Sequence, residues 1–384
     1  MKKALVVFLI LAVAGGLFAQ TTVKFSGSVQ TGLAIGFTDE DDNKPVIDFI
    51  RNRGEHGIRG DVQVDIASGD ENSPYGKFGG RILLRGRDSG FFNFTDGLTA
   101  LVPTSFIWWT PNSFVKIHIG TDGDGGYGSL GGLDDSQDVN GGHNGLKVNL
   151  TPIAGLGIAG SAWYGQTTIA SGRFEDMKLG FGAKYTVTGL VAVAGNLTYN
   201  PNGSTDGERK SEINFRAGAN FLGLSGLGIT ALAADVGGYN FGTNNNFLGI
   251  GERIAFATGG LTLGARAQQF IWMGTADYNA MPMLFQAELA YKVSPVVSVG
   301  VEGRYLMGNT PNFNWRNATE VGGVNNIAAF STKKDKKALG ISPSVTFNVG
   351  PQIVLGYNLQ MDMSDGATGK TMQHLIFSGV NLSF

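Results

Sequence analysis

Segments in which apolar and polar residues alternate strictly recur along most of this chain. The segment at residues 23–37 places its large apolar side chains at odd positions and its polar ones at even positions. In the segment at residues 177–187, apolar residues such as Phe181 alternate with polar ones such as Lys184. The same period occurs in residues 58–66, 213–221, 283–293, 297–307, 339–349 and 353–363. Because successive side chains of a strand point to opposite faces, the pattern predicts strands with one apolar face.

The links between these segments alternate between short and long. The short ones contain turn residues and lie at 110–112, 188–189, 224–226, 259–260, 294–295 and 350–351. The long polar ones lie near 38–55, 121–143, 200–211, 238–246, 308–336 and 364–372. In a meander, this alternation gathers the short turns at one rim and the long loops at the other. It predicts an all-β fold, a transmembrane antiparallel up-and-down β-barrel.

About 18 strands are predicted, and 16 is the alternative count. The difference depends on three weakly periodic segments, at residues 98–109, 145–150 and 156–164. Either even number returns both ends of the chain to the rim of short turns.

The two ends of the chain predict export and insertion. Lys2 and Lys3 precede an apolar run at residues 4–14, which is too short to span a bilayer, so residues 1–20 are predicted to be a cleaved signal peptide. Residues 21–384 then form the barrel. The last segment, residues 373–384, is an amphipathic strand that ends on Phe384.

Composition supports one exported domain. The chain has 384 residues with 60 glycines and no linker, and glycine in strands suits the bends of a closed barrel. The absence of cysteine excludes disulfides and thiolate metal sites. A formal net charge of -2 gives no indication of nucleic-acid binding.

The polar face of the predicted strands carries more basic than acidic side chains. The candidate pore-lining basic residues are Arg59, Arg81, Arg85, Arg87, Lys116 and Lys147. The acids on the same face include Asp61, Asp65, Glu288 and Glu302. Unpaired charges are costly in a packed core, whereas a barrel of 16 to 18 strands leaves a water-filled lumen. The pattern predicts a basic lumen with a weak preference for anions.

The longest glycine-rich connection, at residues 121–144, follows the fifth predicted strand and is a candidate constriction loop. Its acidic residues are Asp122, Asp124, Asp134, Asp135 and Asp138. They lack the later ligands and the closing Glu of a calcium loop, so no metal is predicted. The four histidines, His56, His118, His143 and His374, lie in no recognisable catalytic motif. We therefore predict no catalytic residue and no cofactor.

Together, the leader, the alternating links, the charged face and the terminal Phe384 resemble bacterial outer-membrane porins. The leader and the glycine-rich strands are also similar to spirochaete outer-sheath porins. The resemblance implies a location in outer-membrane lipid, a homotrimer, and passive diffusion of small hydrophilic solutes. It also implies that the barrel-assembly machinery reads Phe384 and that the loop after strand five narrows the pore.

Other barrel classes fit less well. A strand begins soon after the leader, which leaves no room for the plug of a gated receptor, the hatch of a fatty-acid channel or an autotransporter passenger. The alternative to a porin is a surface-exposed structural or adhesin barrel without a channel, acting through its long extracellular loops.

Overall fold

The computed structural model describes residues 21–38, 45–50, 59–69, 75–87, 101–121, 144–163, 177–201, 211–244, 246–274, 281, 283–308, 337–363 and 372–384. The predicted signal peptide at residues 1–20 lies outside this part of the chain. The strands are β1 (Thr22–Thr38), β2 (Val46–Ile50), β3 (Arg59–Ser68), β4 (Lys77–Arg87), β5 (Leu101–Asn112), β6 (Val115–Thr121), β7 (Asn144–Ile153), β8 (Leu156–Trp163), β9 (Lys178–Val187), β10 (Val191–Asn200), β11 (Glu212–Phe221), β12 (Ile229–Phe241), β13 (Phe247–Thr258), β14 (Leu261–Trp272), β15 (Met283–Lys292), β16 (Val297–Met307), β17 (Lys337–Asn348), β18 (Gln352–Asp362) and β19 (Met372–Ser383).

These strands form one closed antiparallel sheet. From β3 to β19, each strand pairs with its neighbours in sequence, and β19 also pairs with β1. Both β2 and β3 pair with β1, β2 along Gly32–Gly36 and β3 along Thr22–Gln30, so together they occupy one position in the barrel. The result is a barrel of 18 strands, which confirms the predicted fold.

The three weakly periodic segments are all strands, which is why the count is 18 and not 16. Their alternation is blurred because apolar residues also occupy their inner face. On β5, Phe106 points inward as the cross-strand partner of Arg81. On β8, Trp163 is buried and pairs with Lys178.

The outward face of the sheet is a belt of exposed apolar side chains. Phe181 on β9 is 58% exposed, and Phe25 and Ile35 on β1 are exposed on the same outer surface. Lys184, at the alternate position of β9, lies on the inner face. The predicted orientation of these strands is confirmed. A closed sheet with such a belt satisfies its backbone groups internally, as a lipid environment requires.

Three predicted boundaries are wrong. Residues 46–50 are the strand β2 and not loop, β5 extends through Asn112, and β12 extends to Phe241. The segment near residues 238–246 was predicted to be a long polar link, but its first residues belong to β12. Gly238 is needed there, since a Cβ at this position would lie 2.6 Å from the ring of Phe241.

Short turns at one rim are held by local hydrogen bonds and glycine conformation. The side-chain oxygen of Asn112 accepts hydrogen bonds from the backbone N–H groups of Phe114 at 2.9 Å and Val115 at 3.1 Å. Gly259 and Gly260, with φ of 54° and 92°, form the two-residue turn between β13 and β14. Positive φ at both positions fits a tight hairpin, which glycine adopts without strain.

Helix is almost absent from the described residues. They contain one 3₁₀ turn, Ser225–Leu227, in the link between β11 and β12. None of them forms a helix long and apolar enough to cross a membrane.

The barrel closes where the last residue meets β1. Gly27 donates a backbone hydrogen bond to Phe384 at 2.8 Å and accepts one from it at 3.0 Å. The Phe384 ring lies over Gly27, where a Cβ would come within 2.6 Å of Cζ of that ring. Only glycine fits at this point of the seam, because a Cβ would also lie 2.5 Å from the backbone oxygen of Asp61 on β3.

Candidate functional site: the inner wall of the barrel

The inner wall carries most of the charge of the described strands, because the apolar belt occupies the outer positions. The basic residues at inward register positions are Lys24, Arg59, Lys77, Arg81, Arg85, Arg87, Lys116, Lys147, Lys178, Lys184, Arg216, Arg253, Arg266, Lys292 and Arg304. The acidic ones are Asp48, Asp61, Asp65, Glu212, Asp235, Glu288, Glu302 and Asp362. Bases outnumber acids on this surface.

Two of the predicted basic residues are neutralised by acids on the adjacent strand. Nε of Arg81 on β4 lies 2.6 Å from Oδ1 of Asp65 on β3. Arg85 binds Asp61 through two hydrogen bonds, of 2.8 Å and 3.2 Å. All four side chains remain partly exposed, so solvent inside the barrel reaches these ion pairs.

Aromatic rings on β5 lie beside this charged patch. The guanidinium carbon of Arg81 lies 5.9 Å from the ring centroid of Phe106, and Nζ of Lys116 lies 5.4 Å from that of Trp108. His118 stacks on Phe106 with 5.1 Å between centroids. Cations over ring faces are attracted by the ring quadrupole, so these aromatic rings hold basic side chains against the wall.

The other predicted site residues divide into two groups. Lys116 and Lys147 lie at inward register positions of β6 and β7, and Lys147 pairs across the strands with His118. Arg59 and Arg87 are cross-strand partners on β3 and β4, and the structure describes only their backbone. The candidate constriction residues lie outside the described residues: Asp122, Asp124, Asp134, Asp135 and Asp138.

A second group of charged side chains lies on β11, β12, β15 and β16, and these side chains are buried from solvent. Arg216 on β11 binds Asp235 on β12 at 2.7 Å, and both side chains are 0% exposed. On β16, Glu302 accepts hydrogen bonds from Arg304 and, at 2.8 Å, from Gln286 on β15. The Arg216–Asp235 pair joins β11 to β12 and the Gln286–Glu302 hydrogen bond joins β15 to β16, so these two contacts fix the positions of neighbouring strands.

An arginine row crosses four neighbouring strands near these buried pairs. We define the row as Arg253, Arg266, Gln286 and Arg304, each the cross-strand partner of the next on β13, β14, β15 and β16. The buried Nε of Arg253 has no hydrogen-bond partner among the described residues. Arg253 and Arg266 lie directly opposite each other and repel, which concentrates positive charge on this part of the wall, whereas Arg304 is paired with Glu302.

Sequence reasoning missed two parts of this wall. Asp235 was not identified, because β12 has small apolar residues on both faces and hides its alternation. The inner aromatic cluster, made of Tyr239, Phe247, Phe270 and Trp272, was also missed. Phe247 packs on Tyr239 at 4.8 Å between centroids. Only the cross-strand register shows that these aromatic residues share the inner face.

Neither the histidines nor the carboxylates form a reactive centre in the described part of the chain. His374 lies on the outer surface, where Nδ1 is 2.5 Å from the hydroxyl oxygen of Tyr357 and the ring stacks on Phe37 at 4.7 Å. His56 and His143 lie outside the described residues. No group of three or more His, Cys, Asp or Glu residues suited to a metal ion occurs among those described.

The sequence matches no protein-family model and no curated protein. Solved structures do match. OpdQ of Pseudomonas aeruginosa superposes with a TM-score of 0.56 at 11% identity, covering 94% of this chain and 98% of that one. OpdL of the same organism gives 0.55 at 10% identity, with 94% and 98% covered. The chain has the fold of a bacterial outer-membrane porin. OccD3 (OpdP) of P. aeruginosa shares this porin fold with a TM-score of 0.54 at 11% identity, covering 96% of this chain and 92% of that one.

Proposed function

We propose that this protein is a passive porin of the outer membrane that admits small hydrophilic solutes with a weak preference for anions. One observation carries the proposal: a closed barrel of 18 strands has an apolar outer belt and a charged inner wall with excess base. Barrels of this size leave an aqueous channel. The proposal includes export by a signal peptide at residues 1–20 and a barrel domain at residues 21–384.

The resemblance to porins adds two parts to the proposal. A homotrimer is the assembly that it implies, and Phe384 is the residue that it implies the barrel-assembly machinery reads. Phe384 lies at the closing seam beside Gly27, in backbone hydrogen bonds of 2.8 Å and 3.0 Å. The terminal aromatic residue therefore has a place in the barrel wall as well as a proposed role in assembly.

The anion preference rests on bases that the acids do not offset. Arg81 and Arg85 form ion pairs with Asp65 and Asp61, so this patch carries little net charge. The separated charges still produce an electric field across the lumen. Over the described strands, the inward register positions carry more bases than acids, and Lys116 and Arg253 lie among those bases. Rings of Arg and Lys side chains around a pore favour anions. Salt screens their electrostatic field over a distance of about 10 Å at 0.1 M.

The candidate constriction loop bears on the strength of this preference. If Asp122, Asp124, Asp134, Asp135 and Asp138 line the narrowest part of the pore, their charge opposes that of the arginine row. We therefore propose a weak preference for anions and not a strict anion channel.

Reversal potentials across a KCl gradient in planar bilayers test this proposal. We expect anion selectivity for the wild type and a shift towards cations for Arg81→Gln/Arg85→Gln, because that variant leaves Asp61 and Asp65 unmatched. Asp61→Asn/Asp65→Asn is the matched control and should shift the potential in the opposite direction. Absence of conductance would refute the porin and favour the surface-barrel alternative, whereas an unchanged potential in both variants would remove this patch from the conduction path.

A further inference from the structure

One carboxylate, that of Glu252, lies on the outer face of the barrel within the apolar belt. Glu252 is exposed on the outer face of β13, between the outward-facing Ile250 and Ile254. It stands midway along Phe247–Thr258, so it faces the middle of the apolar belt. Every other Asp or Glu in the described strands lies at an inward register position.

Glu252 lies in a hollow on the outer surface, with a volume of about 730 Å³. Its cross-strand partners are Ala234 on β12 and Ala267 on β14. The floor of the hollow extends to Gly303, where a Cβ would meet nothing within 4 Å. Its walls are the large side chains of Phe221, Leu232, Phe285, Tyr305 and Leu339, and the inward-register residues of the arginine row also border it. The small floor lets another backbone approach the sheet closely.

A carboxylate at this depth in a bilayer is costly unless it meets a partner. Among the residues that the structure describes, none forms a hydrogen bond or an ion pair with Glu252. The ionisable group and the hollow around it therefore fit a partner that comes from outside the barrel and carries a positive charge.

We propose that the hollow around Glu252 docks a membrane-embedded segment of another protein that carries one Lys or Arg within an apolar stretch. Its basic side chain pairs with Glu252, and its backbone packs on the floor of Ala234, Ala267 and Gly303. The proposal rests on the membrane location in the proposed function.

The depth of Glu252 and the charge of the wall select this occupant. A lipid amine lies at headgroup level, whereas Glu252 is at the middle of the belt. A second copy of the chain has no matching cation in its described strands, because Lys337, at the rim of β17, is the one basic residue there with an outward register. In the proposed homotrimer each contact joins two different surface patches, so the patch facing the hollow would have to supply this cation.

Peptide binding in lipid vesicles tests the proposal. The probe is a synthetic apolar transmembrane peptide with one central Lys, and its control is the same peptide with a central Leu. The chain has no cysteine, so a single Ser113→Cys change in a short turn accepts a fluorescent label for energy transfer. We expect the Lys peptide to bind the labelled full-length protein at least tenfold more tightly than the Leu peptide.

Two variants separate the charge from the shape of the hollow. Glu252→Gln should reduce binding of the Lys peptide to that of the Leu peptide, because the neutral amide loses the ion pair. Ala287→Phe, which narrows the hollow, should weaken both peptides, and Leu197→Ala, on the outer face of β10, should change neither. Equal binding of the two peptides to the wild type, or full Lys-peptide binding by Glu252→Gln, would overturn the proposal.

An Ala267→Cys variant tests for a second copy. Disulfide-linked dimers formed through Cys at this site would show that another copy occupies the hollow and would also overturn the proposal. Conductance measured on the same vesicles distinguishes failure of the porin proposal from failure of the docking proposal. A barrel that binds the Lys peptide but does not conduct would refute only the porin proposal.

Discussion

The two ion pairs Arg216–Asp235 and Arg81–Asp65 offer a direct test of how burial sets the strength of a charge contact. Both join neighbouring strands on the inner wall, with N···O distances of 2.7 Å and 2.6 Å. They differ in exposure: both side chains of the first are 0% exposed, whereas those of the second are 34% and 28% exposed. Geometry is thus nearly matched while solvation changes.

Asp235→Asn should lower the free energy of unfolding by about 3–5 kcal/mol, because it leaves the buried guanidinium of Arg216 without its counterion. The folding equilibrium constant would then fall by roughly a hundredfold to a few thousandfold. Asp65→Asn should cost about 1 kcal/mol or less, since water screens that pair and solvates Arg81 after the change. Gly218→Ala offers a second route to the same loss, because a Cβ at Gly218 would collide with the Asp235 carboxylate.

Urea titration of the barrel refolded in phospholipid vesicles provides the measurement. Tryptophan fluorescence reports unfolding, and gel migration of unheated samples reports the folded fraction independently. The wild type, Asp235→Asn, Asp65→Asn and Gly218→Ala are compared under identical lipid and salt. Equal losses for the two Asp→Asn variants, or a larger loss for Asp65→Asn, would refute the argument that burial decides the cost.

Two further predictions concern the outer face and the seam. Phe181→Arg should make the free energy of folding into vesicles less favourable by about 2–4 kcal/mol, because its charge would face hydrocarbon near the middle of the belt. Lys184→Gln, on the inner face of the same strand, should leave folding unchanged. Equal folding yields for the two variants would contradict the assigned faces. Gly27→Leu should slow or prevent closure of the barrel, because its side chain would displace the Phe384 ring. The control is Gly160→Leu, at an outward glycine with nothing within 4 Å, which should fold normally. Faster refolding of Gly27→Leu than of Gly160→Leu would contradict the seam geometry.

The architecture could be predicted from sequence because each strand carries its own signal. Phe181 and Lys184 are three residues apart on β9 and lie on opposite faces, which a period of two requires. The links at Thr188–Gly189 and Gly259–Gly260 contain turn residues whose meaning is local. Such signals need no knowledge of the neighbouring strands, so the barrel, the orientation of its strands and the count of about 18 follow from the chain alone.

The charge balance of the inner wall could not be predicted in the same way. Arg81 and Asp65 lie on different strands, and their contact depends on a register that neither strand encodes alone. Hence the sequence indicated a basic patch, whereas the structure shows an ion pair. Asp235 escaped notice because it interrupts a stretch of small residues, where alternation of Ala and Gly gives little contrast between faces. Glu252 escaped notice because it takes the place of an apolar residue between Ile250 and Ile254.

The seam between β1 and β19 also sets an order of events in the life of the molecule. Strand β1 pairs with β19 on one side, so the ladder from Ser28–Ser383 to Thr38–Gln373 forms only after almost the whole chain is available. Until then, the growing sheet has two open edges able to pair with other chains. Closure over so long a separation is slow because chain entropy opposes it. A chain whose sheet is still open is therefore exposed to pairing with its own copies until the ladder between β1 and β19 has formed.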